Sequence, residues 1–279
     1  MRVGIKLAPQ HVGIEDLRYV WRVGDEAGFD HLWNFDHFNP ITGDIEGPIF
    51  EGWTLLGAMA EATKRVRIGC MVTGNTYRHP GVLAKIAVTV DHLSDGRLEF
   101  GLGAGWAEIE HRMLGLDFHT TGGRIRRLRE AVEICKALWT QPQATYEGRY
   151  YKLEAAVAEP KPVQKPHPPI WIGGGGEQLT LRIVAELADA WNYTGSAADA
   201  RHKLEVLDRH CADVGRDPAG VRRTVQMRYQ GDVEDTLRIT EEMHGLGFAD
   251  VIYTLKVEEG RRLADELAEK ILPRLRGRG

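Results

Sequence analysis

The sequence predicts a (β/α)8 TIM barrel with an insertion before the fifth strand. Two observations carry this. The apolar period switches between two and 3.6 along the whole chain, marking eight strand–helix units, and alternating elements imply a parallel sheet, because parallel strands need crossover helices. The first strand is followed by "LAPQHVG", not the GxGxxG loop that an open dinucleotide-binding sheet carries at that point. A closed barrel satisfies both, and 279 residues suit one such domain of roughly 250 residues. We read 1–279 as a single domain.

The elements follow in order. Val3, Ile5 and Leu7 alternate as the first strand, and His31–Asn34, Val66–Thr73 and Arg97–Gly103 supply the next three. Leu83, Ile86, Ala87 and Val90 recur at three- and four-residue steps, as do Ile125, Leu128, Val132, Cys135 and Leu138, so both runs are helical stripes. The stretch 141–169 breaks the rhythm. Tyr146, Tyr150 and Leu153 around Glu147-Gly148 read as a hairpin, followed by a proline-stiffened connector too short to bury a core of its own. Ile170–Gly173, Ala190–Tyr193, Val221–Met227 and Asp250–Thr254 complete the strands, with helices starting at Glu177 and spanning Asp235–Leu246 and Val257–Leu272.

Composition narrows the function. A formal net charge of −4 argues against nucleic acid or an anionic membrane surface as partner, since both need a positive field. Cys70, Cys135 and Cys211 are an odd, widely spaced set and suggest neither a disulfide frame nor a zinc site. His111, His119, Glu108 and Glu110 lack the spacing of a metal-binding motif, so no metal is expected. Glu108 and Glu99 would have to face one another across a cleft for glycosidase chemistry. The arginines of "RIRRLRE" read as a mostly solvated face beside a buried stripe. No charged-then-apolar leader precedes the first strand and no apolar run reaches the ~18 residues of a membrane span. The expectation is a soluble cytoplasmic protein acting on a small molecule.

A barrel of this kind builds its site from the loops at the C-terminal ends of the strands. Asp36 and His37 follow the second strand. A histidine ordinarily titrates near ~6.5, so it can give or take a proton at neutral pH, and a carboxylate beside it can orient it. The plainer reading is a strand-end histidine bonded to its own loop. "GLGAG", with Gly103 and Gly105, follows the fourth strand, and Gly173 to Gly176 follow the fifth. A helix start exposes backbone N–H groups that bind anions, and glycine lets the chain approach closely. The four glycines are thus either a phosphate cradle or a tight turn, and spacing alone does not choose.

"AGFDHLWNFDH", "YRHPGVLAKIAVTVDHLSDGRLEFGLGAGW", "EPKPVQKPHPPIWIGGGG" and "LADAWN" taken together resemble the bacterial-luciferase-like monooxygenase superfamily. The closer likeness is to its branch of oxidoreductases that use the deazaflavin coenzyme F420; other members use reduced FMN. The resemblance implies hydride transfer between F420 and a small organic substrate, and a homodimer. It places His37, with Asp36 before it, near the reactive face of the ring. It implies a non-prolyl cis peptide at Met71-Val72, with Thr73 beside it, backing that ring. It assigns the cofactor phosphate to Gly174, Gly175, Gly176, Glu177 and Gln178, helped by Thr194, and so favours the cradle. Sugar-phosphate dehydrogenases of this branch carry a glutamate where this chain has Trp106, and a tryptophan near Ile41. Trp106, with Phe38, therefore implies a flat apolar pocket for a hydrophobic substrate. The rival readings are a reduced-FMN monooxygenase, a cofactor-free barrel hydrolase and a non-catalytic flavin or deazaflavin carrier.

Overall fold

The computed structural model describes residues 1–277. Eight parallel strands close a barrel: β1 (Arg2–Lys6), β2 (His31–Asp36), β3 (Arg67–Gly74), β4 (Leu98–Gly103), β7 (Ile170–Gly173), β8 (Ala190–Tyr193), β9 (Arg222–Tyr229) and β10 (Asp250–Leu255). β1 pairs with β2 on one side and β10 on the other, which shuts the ring. The antiparallel pair β5 (Ala144–Glu147) and β6 (Lys152–Ala156) is the expected hairpin, standing outside the barrel between α5 (Thr121–Thr140) and β7.

Local chemistry sets the helix starts. α3 (Pro80–Leu93) begins with proline, whose missing N–H costs nothing there, and His79 Nδ1 accepts from the Gly81 N–H at 3.1 Å. Thr120 caps α5 through the Gly123 N–H at 3.2 Å, and Ser196 caps α7 (Ala197–Asp213). One start differs from expectation. The helix after the glycine run, α6 (Thr180–Leu187), begins three residues beyond Glu177. Gly174 has φ +123° and residues 177–179 form an irregular turn, so the chain enters the helix late.

Side chains fill the barrel in layers. Trp33, Met71, Trp171, Ala190 and Ile252 form the middle. The bottom holds two buried carboxylates, Glu99 and Asp250, among Arg2, Arg67, Arg222 and His31. Glu99 thus sits at the bottom within β4 while Glu108 lies beyond its top end, at the start of the next helix, so the two do not face each other across a cleft. No helix among the described residues is long and apolar enough to cross a membrane.

The top of the barrel is less regular. The register between β2 and β3 shifts between Asn34 and Asp36, and that between β3 and β4 between Gly69 and Thr73. The Met71-Val72 peptide inside this bulge is cis.

Candidate active site

A cavity of about 540 Å³ opens at the C-terminal ends of the strands. His37, Asp36, Met71, Val72, Gly103, Gly105, Trp106, Gly173, Gly174, Gly176 and Thr194 reach it from the expected set. Gly175, Glu177 and Thr194 line an adjoining pocket with Lys203, whose ammonium donates to the Glu177 carboxylate at 2.6 Å.

The cavity has a backbone wall. A Cβ on Gly103 would stand 2.7 Å from a Val72 methyl, and one on Gly173 would stand 3.1 Å from the other. The glycines therefore leave a flat slot above Val72. Gly174 N–H is held only loosely, 3.4 Å from the Asn192 carbonyl. Among the described residues the N–H groups of Gly175 and Gly176 donate to no protein acceptor. Exposed N–H groups ahead of a helix fit an anion, so slot and amides together fit a flat ring bearing an anionic tail.

Three expected residues stand elsewhere. Phe38 faces away from the cavity, its ring 5.1 Å from that of Tyr77 and beneath the Arg78 guanidinium. Phe35 takes the place beside His37, with ring centroids 4.9 Å apart. The Thr73 hydroxyl is fully buried and accepts from Trp53 Nε1 at 2.8 Å, so it does not border the cavity. Gln178 is exposed and lines neither pocket.

Asp36 requires the largest correction. Its buried carboxylate is held by Arg78, with bonds of 2.5 and 3.0 Å, and does not orient His37. Arg78 also pairs with Glu51, which caps α2 (Gly52–Ala62). Burial pushes the Asp36 carboxyl up and Arg78 opposes it. Neighbours along a strand point to opposite faces; adjacency in sequence therefore misleads here.

The carboxylate on His37 is Glu110, from the short helix α4 (Glu108–Leu114). Its Oε2 accepts from His37 Nδ1 at 2.6 Å and from the Tyr77 hydroxyl at 2.6 Å, and its Oε1 accepts from the Phe38 and Asn39 N–H groups. Burial pushes this carboxyl up, but the bonds from His37, Tyr77 and the Asn39 N–H outweigh it and hold it at about 2. Burial, aided by Glu110, pushes the Tyr77 phenol well up. Glu110 is thus an acceptor only, and Nδ1 must carry the hydrogen. Nε2 has no protein partner among the described residues, and His37 lines the cavity.

The sequence pattern offers Glu110 only as a metal ligand. The local pattern points the other way, since the apolar Ile109, Met113 and Leu114 would be read as the inward face. Ala107, Glu110 and His111 are buried at helical spacing while Ile109, Met113 and Leu114 are exposed, so α4 turns its polar stripe inward. Arg124, read as part of a solvated face, is also inward: it lines the cavity and donates to the Gly105 and His119 carbonyls, fixing the Trp106 loop. Lys6, at the end of β1, was not foreseen. Its ammonium donates to the Met71 carbonyl at 2.8 Å and to Gln226 Oε1 at 3.1 Å.

Trp106 is 63% exposed and its indole lies edge-on to His37, 5.6 Å between centroids. With Ile41 and Ile125 it forms an apolar rim. Trp106→Ala is expected to raise KM for an apolar substrate about tenfold, with kcat little changed, since burying such a ring contributes ~1–3 kcal/mol. A KM ratio near one in steady-state kinetics would remove Trp106 from the pocket.

The luciferase-like monooxygenase family model matches residues 1–243. An F420-dependent glucose-6-phosphate dehydrogenase of Microbacterium testaceum is 33% identical over 248 residues, 86% of this chain and 72% of that protein. An F420-dependent secondary alcohol dehydrogenase, solved with an F420-acetone adduct, superimposes with a TM-score of 0.86 at 18% identity, covering 97% of this chain and 98% of that one. A riboflavin lyase solved with modified FMN and riboflavin superimposes with a TM-score of 0.87 at 13% identity, covering 100% of this chain and 92% of that one.

Proposed function

The chain belongs to the luciferase-like monooxygenase family, and from that premise we propose that it is an oxidoreductase transferring a hydride between deazaflavin coenzyme F420 and a small organic substrate. Its F420-dependent relatives support the cofactor. The observation that carries the reading is the His37–Glu110 bond, which leaves Nε2 free at a slot lined by glycine backbone.

Gly103, Gly173 and Val72 would receive the ring, and the amides of Gly174, Gly175 and Gly176 its phosphate. The bound deazaflavin supplies the two-electron hydride chemistry. His37 handles the proton. With an alcohol-like donor, Nε2 takes the hydroxyl proton while the electron pair of the C–H bond leaves with its hydrogen as hydride; in reverse, Nε2 returns the proton to the carbonyl oxygen. Glu110 holds the imidazole in the tautomer this requires, and its negative charge favours the imidazolium that forms. Tyr77 and two backbone N–H groups hold Glu110 in turn. Asp36 and Arg78 position the β2 end from behind. Trp106 and Ile41 favour an apolar substrate over a sugar phosphate.

Titrating the purified protein with oxidised F420 and with FMN, read by fluorescence quenching, tests the cofactor. Micromolar F420 binding with none for FMN is expected. FMN binding alone would make the protein a reduced-flavin monooxygenase, and binding of neither would return it to the hydrolases. The proposal includes a cytoplasmic homodimer; light scattering against the 31.3 kDa chain mass checks the dimer.

A further inference from the structure

Lys6 is only 7% exposed, yet it lines the mouth cavity. Its two hydrogen-bond partners, the Met71 carbonyl and the Gln226 side-chain amide, are both neutral. An ammonium has three N–H bonds, so one is unassigned. The ammonium lies 5.7 Å from the centre of the Phe35 ring, which also packs on His37. This wall therefore holds a positive charge and an N–H beyond what the protein itself satisfies. Buried cations are ordinarily paired, because an unpaired one loses its hydration without compensation. Burial accordingly lowers the lysine to about 8, which still leaves it mostly charged at neutral pH.

Resting on the F420 reading, we propose that Lys6 touches the cofactor and is the counter-charge for the electron-rich ring of its reduced state. A cation beside a redox ring stabilises whichever state carries more negative charge. Lys6 would thus favour the reduced cofactor over the oxidised one and help draw hydride from the substrate. Its partner carbonyl belongs to Met71, in the bulge below the glycine slot, which puts the charge on the ring side of the cavity.

The test is Lys6→Met, with Kd measured anaerobically for oxidised and for reduced F420. The variant is expected to weaken reduced F420 about tenfold more than oxidised F420, equivalent to a midpoint potential ~30 mV more negative for a two-electron couple. Without cofactor it should unfold at the same temperature as the parent or higher, since a buried charge is removed. An unchanged ratio of the two constants overturns the proposal, whether both weaken equally or neither moves. A raised substrate KM with that ratio unchanged would assign the charge to a substrate oxygen instead, and also overturns it. Should Lys6→Met fail to fold, Lys6→Gln keeps a donor for the Met71 carbonyl without the charge and is read the same way; loss of fold in both assigns Lys6 a structural role and sinks the idea. A parent protein that binds no F420 defeats the functional reading itself, whereas binding with an unmoved ratio defeats only Lys6.

Discussion

Replacing His37 by Ala is expected to lower turnover about 10²–10⁴-fold while leaving F420 affinity within a few-fold of the parent. Removing a positioned general acid–base has effects of this size. The effect should fall on kcat because Nε2 acts on the reacting proton, whereas the slot for the ring is made by backbone and Val72. The fold should survive. His37 contributes one bond to Glu110, and Tyr77 with the Phe38 and Asn39 N–H groups still satisfies that carboxylate. Pre-steady-state kinetics separates the outcomes: a slow hydride step with normal binding supports the proposal, while unchanged binding with unchanged turnover would remove His37 from the proton transfer.

Glu110 is the second test, and its two substitutions divide stability from chemistry. Glu110→Ala strands an imidazole, a phenol and two backbone N–H groups in a buried site, and breaking such a buried network costs about 3–5 kcal/mol. Glu110→Gln keeps the volume but presents an amide that can donate to Nδ1. The hydrogen of a neutral His37 then moves to Nε2, the wrong nitrogen for a base. A loss of ~10²-fold or more in kcat is expected, as tautomer errors of this kind produce, with KM little moved. Equal kcat for Glu110→Gln and the parent would show that the carboxylate only props up the loop.

Acid should act through the same group. The Glu110 carboxyl falls from an ordinary value of 4.5 to about 2 on folding. A lowered folded value means the unfolded chain binds the proton more readily, so stability rises with pH across the interval between the two. The contribution of Glu110 is complete above about pH 4.5 and disappears as pH falls through about 2. Denaturant midpoints followed from pH 5 downward should therefore drop more steeply in the parent than in Glu110→Gln.

Much of the barrel was legible from residues alone. Ile170–Gly173 and Ala190–Tyr193 form the strands their apolar runs predicted, because short apolar stretches bounded by proline, glycine or helical patterns have few other ways to bury themselves. The same local logic located the hairpin and put His37 and the glycines at one end of the barrel. It misplaced the start of α6, where glycine freedom defeats periodicity.

The sequence by itself thus determined the alternation of elements, the closed parallel sheet and the set of strand-end loops, since these depend on periods of two and 3.6 within short windows. Tertiary structure alone decided which charges meet. Glu110 reaches His37 across 73 positions, Arg78 reaches Asp36 across 42, and Lys6 meets Gln226 across 220. Those pairings are set by barrel closure and by the inward face of α4. A hydrogen bond needs about 3 Å and a direction, and neither is encoded in the local pattern around any one of these residues.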